Sequence, residues 1–161
     1  MDTMIRVNQI WNHPIYQEQL QALQMLEADR KFCRHTPEHF LDVARLAYIH
    51  ALESHASANK ELIYCTALLH DIGRAEQYRS GIPHDEAGAQ IAEQILRELS
   101  FDPSEIQKIT SAIREHRNAA RSDTLSSLIY DADKASRNCF SCPAEKECYW
   151  SAEKKNLTIT Y

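Results

Sequence analysis

Apolar residues recur along this chain at helical spacing, and turn-forming residues interrupt them at regular intervals. Asn12-His13-Pro14 has the form of a helix start, with proline in the first turn where its missing N–H costs nothing. Ile15, Leu20, Leu23 and Leu26 then make an apolar stripe to about Ala28. Thr36-Pro37 starts a second helix by the same logic, with Phe40, Val43, Ala44 and Ala47 on its buried face, running to about His55. Residues 61–71 are short and strongly apolar, which predicts a central place in the core. His84 opens a helix through Ala87, Ile91, Ile95 and Leu99. Asp102-Pro103-Ser104-Glu105 has the form of a capping box, and Ile106, Ile109 and Ile113 follow it to near His116. Ser122-Asp123 caps a last long helix carrying Leu125, Leu128, Ile129 and Ala132 to about Arg137. The first dozen residues read as an irregular lead-in, Gly73–Pro83 as a loop, and Leu157–Tyr161 as a short edge strand.

Composition supports helices over sheets and turns, since 161 residues contain three glycines and five prolines. The length fits one domain over residues 1–161, with a helical core at about 30–137 and a Cys-rich extension at 138–161. No apolar run is long enough to cross a bilayer and the start lacks a signal-peptide pattern, so the expectation is a cytoplasmic chain. A formal charge of −5 gives no global basic field, which disfavours nucleic acid and membrane surfaces as partners. An anionic substrate stays open, because a bound metal ion supplies positive charge locally. The oligomeric state stays open, with a homodimer among the partners allowed. Five cysteines in a cytosolic setting point to metal binding or core packing rather than disulfides.

The chemistry concentrates in Ala67-Leu68-Leu69-His70-Asp71-Ile72-Gly73-Arg74, where an apolar helix ends on two adjacent metal-grade ligands. Neighbouring helical residues point about 100° apart, so one ion reaches both only near the helix end. Gly73 reads as a left-handed closure of that helix. Further candidates lie at helix ends: His35 before one start, His84 opening another, His116 near a third end, and Asp133 late in the last helix.

The order His, His-Asp, His, His, Asp resembles the HD-domain superfamily of metal-dependent phosphohydrolases. The resemblance covers roughly residues 30–137. It is carried by His70-Asp71-Ile72-Gly73, by His84-Asp85-Glu86-Ala87-Gly88-Ala89 and by Ala132-Asp133-Lys134. It implies an all-α HD-domain helical bundle. It also implies that His35, His70, Asp71 and Asp133 hold one ion, and that His84 and His116 hold a second, as in the two-metal, HDIG-type subgroup, with Asp71 bridging. Aspartate can span two ions, and neutral imidazoles suit iron, manganese or zinc. Two such ions roughly 3.5–4 Å apart clamp a phosphate and lower the pKa of a bridging water, whose hydroxide attacks phosphorus in line. Asp71 is thus the central catalytic carboxylate, and Lys134 is placed to neutralise a phosphate oxygen, as a lysine there does in some relatives. Arg74 and Arg117 can do the same. Asp131 competes with Asp133, but the superfamily's ligand directly precedes the lysine position. His13, His39, His50 and His55 match no role and read as surface or helix-face residues; His39, one turn from His35, is the substitute if the register shifts.

Cys139-Phe-Ser-Cys142-Pro-Ala-Glu-Lys-Glu-Cys148 is a metal-site pattern that lacks a fourth ligand. If His35 and Asp133 share an ion, Cys33 lies within ~7 Å of chain from that point, and Cys139 about 9 Å along a helix from it. The set Cys33, Cys139, Cys142 and Cys148 then makes a closed four-thiolate site for structural zinc or an iron–sulfur cluster. The spacing is similar to the last three cluster ligands of the endonuclease III family of DNA glycosylases, whose first ligand, unlike Cys33, is near in sequence. Cys65 reads as core.

Taken together, these features predict a metal-dependent phosphohydrolase acting on a nucleotide or another small phosphorylated metabolite. A di-iron oxygenase of the same superfamily, a single-metal nucleotidase and a non-catalytic binding module are the alternatives.

Overall fold

Eight helices follow one another in the computed structural model, which describes residues 3–118 and 121–161. They are α1 (Ile5–Trp11), α2 (Pro14–Leu26), α3 (Pro37–Glu53), α4 (Lys60–Leu69), α5 (Arg74–Ser80), α6 (His84–Glu98), α7 (Pro103–Glu115) and α8 (Thr124–Ala135). Most starts are capped as their sequences demand. The side chains of His13, Thr36, Asn59 and Asp123 accept backbone N–H groups of the first turns of α2, α3, α4 and α8. Asp102 and Glu105 form the reciprocal capping box of α7.

The hydrophobic core has two lobes with α4 between them. On one side Ile10, Leu23, Ile72, Ile95 and Ile109 pack with Leu69. On the other, Val43 and Ala47 of α3 and Ile129 of α8 pack with Ile63 and Ala67. Being covered on both sides explains why α4 is apolar nearly all round. Cys65 is fully buried there, a core residue as its setting predicts. No helix among the described residues is long and apolar enough to cross a membrane.

Four local expectations fail. Residues 5–11 are helical, not irregular: Val7 and Ile10 enter the core, and Arg6 bonds Glu61 and Glu105. A seven-residue helix cannot hold itself in water, so packing makes it. The expected loop at 73–83 contains α5, which buries Ala75 and ends at Gly81 with φ +78°. Gly73 is right-handed, φ −76°, so it does not close α4 in the left-handed region. Its side-chain-free face is used for close approach: a Cβ there would stand 2.3 Å from Gly88 N and from His84 O. The tail forms no strand; among the described residues the chain after α8 has only 3₁₀ turns, at Cys139–Ser141, Glu145–Glu147 and Ala152–Lys154.

Candidate metal centre

Helix ends converge on one buried carboxylate. His70 and Asp71 directly follow α4, His84 is the first residue of α6, and His116 caps the end of α7. His39 lies in the first turn of α3, Asp133 in the last turn of α8, and His35 just before α3. All seven side chains are buried.

The two oxygens of Asp71 face different groups. Oδ1 lies 3.3 Å from His84 Nε2 and 3.5 Å from His116 Nε2. Oδ2 lies 3.2 Å from His70 Nε2, 3.6 Å from His35 Nε2 and 3.8 Å from His39 Nε2. Asp133 Oδ1 completes the second group, 3.4 Å from His39 Nε2 and 3.7 Å from His70 Nε2. Within His39, His70, Asp71 and Asp133 the facing atoms all lie within 4.8 Å of one another, and so do those of Asp71, His84 and His116. The structure brings His84 and His116 to the same oxygen of Asp71. In the tight set, however, His39 stands where the sequence reading put His35. His39, read as a surface or helix-face residue and as the substitute for His35, is buried on the inward face of the first turn of α3. His35 is alongside, in reach of Asp71 alone. His13, also read as surface, is buried and bonds Glu98 at 3.0 Å, whereas His50 and His55 are exposed.

Each imidazole is braced through Nδ1, which directs Nε2 inward. His70 Nδ1 donates to Ala67 O at 2.7 Å and His116 Nδ1 to Ile113 O at 2.5 Å. His84 Nδ1 donates to Gln77 Oε1 at 2.5 Å, and His39 Nδ1 to Ser136 Oγ at 3.2 Å. His35 Nδ1 donates to Glu27 Oε1 at 2.7 Å, and its backbone N–H to Glu27 Oε2 at 2.8 Å. Glu27, Gln77 and Ser136 escaped the sequence reading. Only Glu27 left a signal, as a carboxylate seven residues after Leu20 and four after Leu23 on a buried face.

The electrostatics suit cations. Burial alone would lower the His70 imidazole, but the Asp71 and Asp133 carboxylates outweigh it and raise it to about 9. Against their own burial, Asp71 is held well below the carboxylate range by Arg74 and His70, and Asp133 by His39 and His70. Burial pushes His35 down to about 4 and His84 to about 3, with Arg74 adding to both. Glu27 drops to about 2 because its bonds from His35 and Tyr78 outweigh burial. His70 Nε2 and Asp71 Oδ2 are buried and face each other without a hydrogen bond. With Nδ1 donating to Ala67 O, neutral His70 presents a lone pair at Nε2 as Asp71 does at Oδ2, and two buried lone pairs facing each other are costly unless a cation joins them. Oxygen and imidazole donors fit a divalent transition ion at each set.

Above them opens a cavity of about 340 Å³, lined by His35, His84, His116 and Asp133. Arg30, Arg74, Arg117, Lys134, Arg137 and Lys155 also line it, a local positive wall on an acidic chain. Arg74 Nε bonds Asp71 Oδ1 at 2.7 Å, Lys134 pairs with Asp133 Oδ2, and Arg137 Nη2 reaches His39 Nε2 at 3.0 Å. The thiols of Cys33, Cys139, Cys142 and Cys148 lie on the same cavity.

Known proteins share this arrangement of elements. The family model described as HD domain matches residues 36–138. An uncharacterized protein from Clostridium beijerinckii is 44% identical over 158 residues, covering 98% of this chain and 100% of that one. The crystal structure of a predicted HD superfamily hydrolase from an uncultured Thermotogales bacterium superposes with a TM-score of 0.67 at 23% identity. That match covers 91% of this chain and 82% of the other, and shows the same fold. The chain belongs to the HD domain family.

Proposed function

We propose that the protein is a metal-dependent hydrolase of phosphate esters or anhydrides, acting on a nucleotide or another small phosphorylated metabolite. One observation carries the reading: a single buried carboxylate, Asp71, turns its two oxygens to two separate imidazole groups beneath a cationic cavity. His39, His70, Asp71 and Asp133 would hold one iron, manganese or zinc ion; Asp71, His84 and His116 would hold another. Ions bound there supply Lewis acidity, polarising a phosphoryl oxygen and acidifying a water.

The chain's own residues do the rest. Lys134, Arg117 and Arg74 line the cavity, and their N–H donors beyond those paired with Asp133, Asp85 and Asp71 would meet phosphate oxygens. His35 keeps its proton on Nδ1 against Glu27, so Nε2 presents a lone pair to the cavity and can accept a proton from the attacking water. The buried brace on every imidazole fixes these groups before substrate arrives.

The test is elemental analysis of protein purified without added metal, then a phosphate-release screen over nucleotides and sugar phosphates with and without oxygen. Phosphate release under anaerobic conditions is the expected result. Substrate-dependent oxygen uptake without phosphate release would replace this reading by the oxygenase one.

A further inference from the structure

The thiols of Cys33, Cys139, Cys142 and Cys148 are all free and all line the cavity that opens over the metal centre. They come from two distant stretches, the link between α2 and α3 and the irregular chain after α8. Cys33 is close enough to feel the charges of the other three. Four thiols converging on one wall in this way form a soft-metal site.

The spacing disfavours one of the two groups that four thiolates hold. Sulfurs bound 2.3 Å from one tetrahedral zinc stand only about 3.8 Å apart. Among the described residues no three of these sulfurs lie within 4.8 Å of one another, whereas the His/Asp sets do meet that limit. A cubane cluster spreads its four thiolates over separate irons, so it takes ligands set wider apart. From this geometry we infer that Cys33, Cys139, Cys142 and Cys148 ligate a [4Fe–4S] cluster in the wall of the active-site cavity.

The surroundings agree. Four thiolates around a cluster leave net negative charge, and two cations answer it, Arg137 near Cys33 and Lys155 near Cys139 and Cys148. The loop is fastened for the purpose. Lys155 Nζ donates to Glu145 O at 2.8 Å, between two of the ligands, and Asn156 Nδ2 donates to Lys134 O at 2.8 Å and to Arg137 O at 2.9 Å. Arg30 Nε holds Cys33 O at 2.8 Å. The cluster acts as a clamp, tying the segment that carries His35 to the end of α8 that carries Asp133. No electron transfer is assigned to it, and the inference stands whether or not the substrate is a phosphate compound.

The deciding readout is acid-labile sulfide, which the His/Asp centre has none of. Full-length protein purified anaerobically should carry about four sulfides per chain and a broad visible absorption that dithionite bleaches. Cys142→Ser should lose both, while Cys65→Ser, altered only in the core, should keep both. If Cys142→Ser is insoluble, sulfide analysis of the wild-type protein still decides. Zinc bound at the thiols without sulfide would overturn the inference. So would the absence of sulfide after anaerobic reconstitution with iron and sulfide.

Discussion

The His/Asp centre and the thiol corner share a cavity but are built in opposite ways. Around Asp71 every donor comes from a helix end or its immediate flank, is buried, and is held by a second hydrogen bond. Around Cys139–Cys148 the backbone makes only short 3₁₀ turns, and Phe140 and Tyr149 are exposed. The first site is organised by the protein in advance of its ions. The second is fastened by side chains that bond backbone carbonyls, Lys155 to Glu145 O and Asn156 to Lys134 O and Arg137 O. Rigid preformed ligands suit a centre that must position a reacting water.

That contrast can be broken most severely at the shared carboxylate. Asp71→Ala removes the ligand common to both sets, and turnover is expected to fall roughly a thousandfold or more. Metal content should drop with it while far-UV circular dichroism stays helical; undiminished turnover would place the chemistry elsewhere. Gly73→Ala comes next, because its Cβ would strike the backbone of α6 at 2.3 Å. Overpacking of that kind should cost about 3 kcal/mol in denaturant melts, the upper end of its usual range. It should also displace His84, so metal at the Asp71–His84–His116 set is lost before metal at the other.

Glu27→Gln tests how much of the centre depends on bracing. The variant keeps the side chain's volume but loses its charge and sets an amide NH2 against one of the two His35 N–H donors, and a 10–100-fold fall in kcat with little change in metal content is expected. A shifted pH profile would separate this from a mere loss of stability.

Smallest is the effect of pH on the metal-free protein. His35 and His84, at about 4 and about 3, stay neutral in the fold, whereas the unfolded chain protonates its histidines near 6.5. The unfolded state then binds more protons, so stability falls as pH drops below about 6.5. The depressed carboxylates of Glu27, Asp71 and Asp133 add to that loss once pH passes below about 4. His70, raised to about 9, acts oppositely: its contribution is full below about 6.5 and is lost as pH rises toward 9. Melting curves in chelator should therefore peak near neutrality. Added metal displaces the His70 proton and should flatten the alkaline side; an unchanged alkaline limb would count against metal at His70.

What the sequence made legible follows from which residues carry local signals. Thr36-Pro37, Asn12-His13-Pro14 and Asp102-Pro103-Ser104-Glu105 mark helix starts by their own capping chemistry, and those helices begin where expected. Asp71, His84 and His116 stood out as ligand-type residues at predicted helix ends. His39 stood only as the substitute for His35, because the direction of the first turn of α3 alone decides that it faces Asp71. The helices at 5–11 and 74–80 were missed because both are too short to declare themselves without partners. Gly73 was legible as special but for the wrong reason, since a close approach by α6 leaves no local trace. Gln77 and Ser136 become visible only once His84 and His39 have been placed.

The central claim is that Asp71 bridges two cations, and anomalous diffraction from a manganese-loaded crystal tests it most directly. The account predicts two peaks, one beside each oxygen of Asp71, the first among His39, His70 and Asp133 and the second between His84 and His116. A single peak on one side, or none within reach of that carboxylate, would contradict it.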